Sequence, residues 1–207
     1  MKTGIRTCLR YLSAKGSEAL SSSLKNYKDG QISGMEVQAR IFTSFFFEPL
    51  TFVRAIKGEE MEPTFASRGE SLLVRKITSP SSRSIFVGDV ILFKDPLDEE
   101  QERVRRVAAM EGDQMVSTDP NDLPFALDEG HCWVISDNNS INPTTSGDSR
   151  MFGQLPMENI IGRVIYACRS QEDHGAIMNS HAGMQEDYPV IAAELDLKEL
   201  MESEGSA

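Results

Sequence analysis

KGEEMEPTF, residues Lys57 to Phe65, is the stretch on which the fold of this chain turns. A strand leads into a glycine-bearing turn, and Met61, Pro63 and Thr64 follow it directly. The middle of the stretch reads Glu59-Glu60-Met61, so a carboxylate stands at the centre of a tightly specified loop.

Outward from that loop the chain turns to short strands. SLLVRKI (71–77), DVILFK (89–94), ERVRRVAA (102–109), HCWVIS (131–136) and IIGRVIYAC (160–168) are rich in β-branched or aromatic residues. Turn chemistry bounds them at Ser79-Pro80, Gly88-Asp89, Asp95-Pro96, Gly112-Asp113 and Gly130. Strands and turns without helical periods between them predict a mostly antiparallel β domain. Beyond Arg169 nine acids face only Arg169 and Lys198. Within that tail DYPVIAAELDLKELMES predicts a short amphipathic helix, capped by Asp187, with Pro189 in its first turn and Val190, Ala193, Leu197 and Met201 on one face.

The 207 residues suit one domain with extensions or two small ones, and 40% hydrophobic with 26% charged residues is ordinary for a globular protein. A net charge of -11 argues against nucleic acid as a partner, which requires a basic face. The charge is uneven. Residues 1–28 carry Lys2, Arg6, Arg10, Lys15, Lys25 and Lys28 against Glu18, leaving 15 basic and 31 acidic residues in the rest. A basic, serine-rich, acid-poor start describes an organelle import sequence over roughly residues 1–30, and also a plain solvated terminus. The next segment, 31–57, is rich in phenylalanine. Its apolar run from Ile41 to Phe47 is cut by Glu48 and Pro49, too short to span a bilayer. Phe45, Phe46, Phe47 and Phe52 either line an interfacial helix or dock on the core. Cys8, Cys132 and Cys168 form no C-x-x-C and share no ligand spacing with the histidines, so neither a disulfide framework nor a metal site is expected, and no cofactor.

Four boxes occur in order: GEEMEPTF (58–65), VRRVAAMEGD (104–113), GHCWVISDN (130–138) and SGDSRMFGQLP (146–156). Together they resemble the type I signal peptidases, most closely the mitochondrial inner membrane protease branch. The resemblance covers about residues 55–168 and implies a signal-peptidase-like β core, 58–169, followed by the acidic tail, 170–207. The family loop reads Gly-x-Ser-Met-x-Pro-Thr, and its serine falls here on Glu60. The family's lysine base falls on Arg105. A lone carboxylate repels a developing oxyanion, and an arginine keeps its proton, so neither replacement performs the family chemistry. The two together form a charge-assisted, even bidentate, ion pair that plugs the site, although Glu60 simply solvated in an open groove is the alternative. Gly58, Met61 and Pro63 shape the loop. Ser146 stands where the family has a serine that bonds the base, and Asp148 is placed to pair with Arg106 or Arg150. Two departures stand out: Ser136 where the family has glycine, and NSINPTT (139–145) where the family has a shorter connection.

The resemblance therefore implies a catalytically inactive relative, a scaffold or peptide-binding subunit of a mitochondrial inner-membrane complex, with a plastid address as the alternative. Its expected partners are protein subunits and extended peptides, with peripheral membrane contact through Ile41–Val53. The competing function is an endopeptidase, active or supporting a complete partner, that trims imported precursors.

Overall fold

In the computed structural model of the chain, residues 4–116 and 123–202 are described. Ten strands follow two helices: α1 (Ile5–Lys28), α2 (Glu36–Phe47), then β1 (Thr51–Ile56), β2 (Glu70–Lys76), β3 (Val90–Asp95) and β4 (Asp98–Met110). β5 (Gln114–Met115), β6 (Phe125–Ala126), β7 (His131–Ile135), the one-turn α3 (Ser149–Phe152), β8 (Leu155–Pro156), β9 (Ile160–Cys168) and β10 (His174–Ala176) complete the β region. Helices α4 (His181–Glu194) and α5 (Leu197–Glu202) close the described chain. The main sheet runs β1-β2-β9-β3-β4-β7-β8, with β10 added to β9, and every pairing is antiparallel.

The mostly β, signal-peptidase-like class is therefore the observed one. Each of the five expected strands lies on an observed strand, displaced by no more than a few residues. The reason is burial: β3 and β9 read as continuous apolar runs because both of their faces are covered. One cluster packs Met61, Phe65, Leu72 and Leu92 on one side of the sheet. A second packs Ile85, Phe93, Val134 and Leu155 further along it. The sheet begins at Thr51, within the segment read as phenylalanine-rich, and the acidic segment after 169 contributes β10 to it.

The C-terminal helix corrects the expectation made for it. Its cap is Ser180, whose hydroxyl accepts from the Gly183 N–H, and the helix starts six residues before Asp187. Asp187 sits mid-helix and buried, and Pro189 lies inside the helix rather than in its first turn. Asp187 resembles a cap in the local sequence because its partner, Arg163, is 24 residues away. Arg163, in β9, is 1% exposed and bonds Asp187 at 2.6 Å and Asp89 at 2.8 Å. Asp89 in turn accepts from the Ser180 N–H and hydroxyl, so one buried network bolts α4 to the sheet.

The basic first segment is helical and docked. Tyr11 donates to Glu194 at 2.5 Å, Glu18 accepts from the Thr78 N–H at 2.9 Å, and Ala19 is buried. Glu194, the last residue of α4, also accepts from the backbone N–H groups of Leu50 and Thr51 at 3.0 and 2.9 Å. A single carboxylate thus ties α1, the start of β1 and the end of α4 together. No helix among the described residues is long and apolar enough to cross a membrane.

Candidate functional site

The loop from Gly58 to Phe65 is built by its glycine and its apolar residues. Gly58 has φ +135°, a conformation that side chains disfavour, and a Cβ there would collide with the Glu60 carboxylate folded over it. Met61 and Phe65 are driven into the core, while Pro63 faces out after a cis peptide bond from Glu62. The DN of the third box closes the loop from the other side. The Asn138 N–H donates to the Glu60 carbonyl at 3.0 Å and its amide to the Glu59 carbonyl at 2.8 Å. Thr64 donates to Asp137 at 2.5 Å.

Arg105 comes from the opposite wall, on β4. It is 4% exposed, and its guanidinium reaches the Ser146 carbonyl through Nε at 3.1 Å and Nη2 at 2.5 Å. Nη1 donates to the Val104 carbonyl at 2.5 Å. The Glu60 carboxylate stands 3.9 Å from Nη2. That is beyond hydrogen-bond reach, so the expected bidentate pair is not formed. Backbone carbonyls have taken the donors that a fork-to-fork pair would need, and Glu60 contributes its charge at a distance. Burial pulls the Arg105 proton affinity below the usual arginine value, and Glu60 pulls it back up. An arginine so placed still keeps its proton.

Ser146 meets Arg105 through its carbonyl rather than its hydroxyl. The hydroxyl donates to the Pro143 carbonyl at 2.8 Å, inside the inserted 139–145 loop. That loop is held by Asn142, which accepts from the Thr144 N–H and hydroxyl. The serine that the resemblance assigns to orienting a base is thus engaged by the inserted loop and, through its side chain, by Asp148. Gly147, at φ +57°, turns the chain so that the Ser146 carbonyl faces Arg105.

The remaining site residues divide into two ion-pair clusters. Asp148 pairs with Arg150 at 2.6 Å and accepts from the Ser136 N–H and hydroxyl at 3.0 Å each. Burial would raise the Asp148 carboxyl, but hydrogen bonds from Arg150, Ser136 and the Ser146 side chain outweigh it and bring it down to about 2. Arg106 chooses a different acid: it binds Asp137 through two bonds, at 2.8 and 2.7 Å, and also reaches the Gly88 carbonyl at 2.7 Å. Asp137, Thr64 and the departure Ser136 are thus working members that motif reading passed over. The signal for Asp137 was its place in the third box, beside Asn138.

Between the end of β1 and residues Glu102–Arg105 lies a cavity of about 200 Å³, lined by Lys57, Gly58, Glu60, Glu102, Arg103 and Arg105. Arg54 of β1 crosses to Glu102 of β4 at 2.8 Å. Among the described residues β1 is the terminal strand of the sheet, paired on one side only, with β2. The site thus combines a strand edge with a charged hollow in which Glu60 and Arg105 stand 3.9 Å apart. Among the described residues no three or more His, Cys, Asp or Glu are grouped to hold a metal ion.

Comparison with known proteins follows that geometry. The family model for signal peptidase, peptidase S26, matches residues 34–123. The mitochondrial ATP-independent inner membrane protease subunit 2 of Arabidopsis thaliana is 38% identical over 196 residues, spanning 95% of this chain and 96% of the relative. Subunit 1 of the mitochondrial inner membrane protease of Schizosaccharomyces pombe is 34% identical over 130 residues, 62% of this chain and 80% of its own. The Mus musculus subunit 1 is 28% identical over 158 residues, 75% of this chain and 92% of its own.

Proposed function

The chain belongs to the signal peptidase S26 family, among the mitochondrial inner membrane protease subunits, and from that premise we propose that it is a subunit that retains the fold and lacks the chemistry. Its address is the mitochondrial inner membrane, as the relatives' names indicate. The observation that carries the proposal is Arg105. A guanidinium held by the Ser146 and Val104 carbonyls stands where the family keeps a base that must lose a proton. Glu60, beside it, supplies no serine hydroxyl and faces any oxyanion with a negative charge. Loss of both nucleophile and base removes on the order of a millionfold of rate in enzymes of this kind.

What remains is a docking platform. The free edge of β1 offers backbone groups to an extended peptide, and the β4 wall offers charges rather than an apolar slot. The role is assembly or peptide holding within a protease complex. A second reading, support of a catalytically complete partner, is favoured by the relatives' designation as subunits. The basic start serves as an import address. Its docking through Tyr11, Glu18 and Ala19 supports its retention in the mature protein.

The test is direct. The purified full chain is incubated with presequence peptides and with a serine-directed phosphonate probe, and neither cleavage nor labelling is expected. Affinity capture from mitochondria should return a stable set of protein partners. Cleavage by the isolated chain that survives both Glu60→Ala and Arg105→Ala sinks the proposal. Labelling regained by Glu60→Ser with Arg105→Lys indicates a groove otherwise intact.

A further inference from the structure

Helices α1 and α2 pack together as a hairpin, with Phe45 lying against Gly16 and Tyr27 against Gly34. Their outward faces are apolar beyond what a solvated surface requires. Leu9 is 61% exposed on α1, Phe42 and Phe46 are each 58% exposed on α2, and the Phe42 and Phe46 rings meet at a tilt, 4.6 Å between ring centres. Leu20 and Leu24 on α1 and Phe47 on α2 are exposed as well. The charges follow a different sign from the rest of the molecule. Residues 5–47 hold six basic residues and three acids in a chain whose net charge is -11. Two of those acids are engaged, Glu18 with Thr78 and Glu36 with Ser33, whereas Arg6, Arg10, Lys25 and Lys28 stand on α1.

From this juxtaposition we infer that the α1–α2 hairpin lies flat in the headgroup layer of an anionic bilayer, with the Phe42–Phe46 pair and the α1 leucines inserted and the α1 basic residues on lipid phosphates. The inference rests on the inner-membrane location in the proposed function and extends it from proximity to a mode of attachment. Leucine and phenylalanine on one face with Lys and Arg beside them is the composition of an in-plane interfacial helix. Basic residues near such a surface gain from the negative potential of anionic lipids. A second copy of this chain is a poorer occupant, because two like basic rims would meet. The hairpin ends at Phe47 and the terminal strand β1 starts at Thr51, so the attachment is rigidly coupled to the sheet edge.

The purified full-length protein provides its own reporter. Cys8, on α1, is exposed, whereas Cys132 and Cys168 are buried, so a polarity-sensitive dye is directed to Cys8. Vesicles of phosphatidylglycerol with phosphatidylcholine should bind the protein and shift the dye emission to the blue, while pure phosphatidylcholine binds far more weakly. Phe42→Ser with Phe46→Ser should weaken vesicle binding at least about tenfold. Neutralising Arg6, Arg10 or Lys28 should weaken it about fivefold per residue, and only on anionic vesicles. These are exposed positions, and far-ultraviolet circular dichroism checks that each variant is folded. Equal binding to neutral and anionic vesicles, or binding indifferent to the phenylalanine changes, overturns the inference. So does a phenylalanine variant that loses its protein partners but still binds vesicles, because the face is then a protein interface. Peptide cleavage by the chain would defeat the proposed function alone and leave the vesicle result standing.

Discussion

Two arginines sit at nearly the same depth in this sheet and are housed in opposite ways. Arg163 meets Asp187 and Asp89 at hydrogen-bond distance, with Glu186 at 3.2 Å on its outer side. Burial works against its charge, and the two buried carboxylates more than restore it, so its proton affinity lies above the usual arginine value. Arg105 has carbonyls for neighbours and one carboxylate at 3.9 Å, and its proton affinity lies below that value. The first is a charge surrounded by acids in bonding contact. The second is a charge settled into a space shaped by other demands. A buried ion is held either through counter-charges or through backbone dipoles, and in this chain the counter-charges of Arg163 tie α4 to the sheet while the carbonyl of Ser146 ties its loop to β4.

The largest break in that comparison should come from Arg163→Leu. It leaves Asp89 and Asp187 buried without their cation and should cost about 3–5 kcal/mol, read as a lower urea midpoint at unchanged slope. Acid comes next. The folded Asp148 carboxyl, at about 2, lies below its unfolded value, so its contribution is complete above about pH 4 and disappears as pH falls towards 2. That loss, about 2 kcal/mol, should appear in acid unfolding of the parent and be missing from the acid limb of Asp148→Asn. Arg105→Met should cost about 1.5 kcal/mol, because it strands the Ser146 and Val104 carbonyls without leaving a bonded counter-charge behind. Glu60→Gln should move stability by less than about 1 kcal/mol, given a 3.9 Å separation and a side chain 30% exposed. If Glu60→Gln proves as costly as Arg105→Met, the two are tightly coupled and the contrast with Arg163 fails.

Legibility followed the range of the interactions. The strands were readable because β-branched runs between turn residues are local signals, as at 71–77 and 160–168. The position of Glu60 opposite Arg105 was readable from ordered boxes, while their spacing was not. Which acceptors the guanidinium takes depends on the Ser146 carbonyl, 41 residues away, and on a glycine that turns it. Asp187 failed as a cap for the same reason: its partner belongs to another strand. The partner of Asp148 is open between Arg106 and Arg150 in the sequence, because Asp137, the acid that Arg106 takes, reads only as part of a motif.

The junction at Glu194 has a consequence in time. A chain delivered through a membrane with its N-terminus leading presents α1 and the start of β1 before Glu194. Until that carboxylate arrives, Tyr11 and the N–H groups of Leu50 and Thr51 lack their common acceptor. The α1 helix thus completes its contacts only after residue 194 has emerged, and a chain cut short before that residue keeps the Glu18–Thr78 contact of α1 but lacks the Tyr11–Glu194 bond.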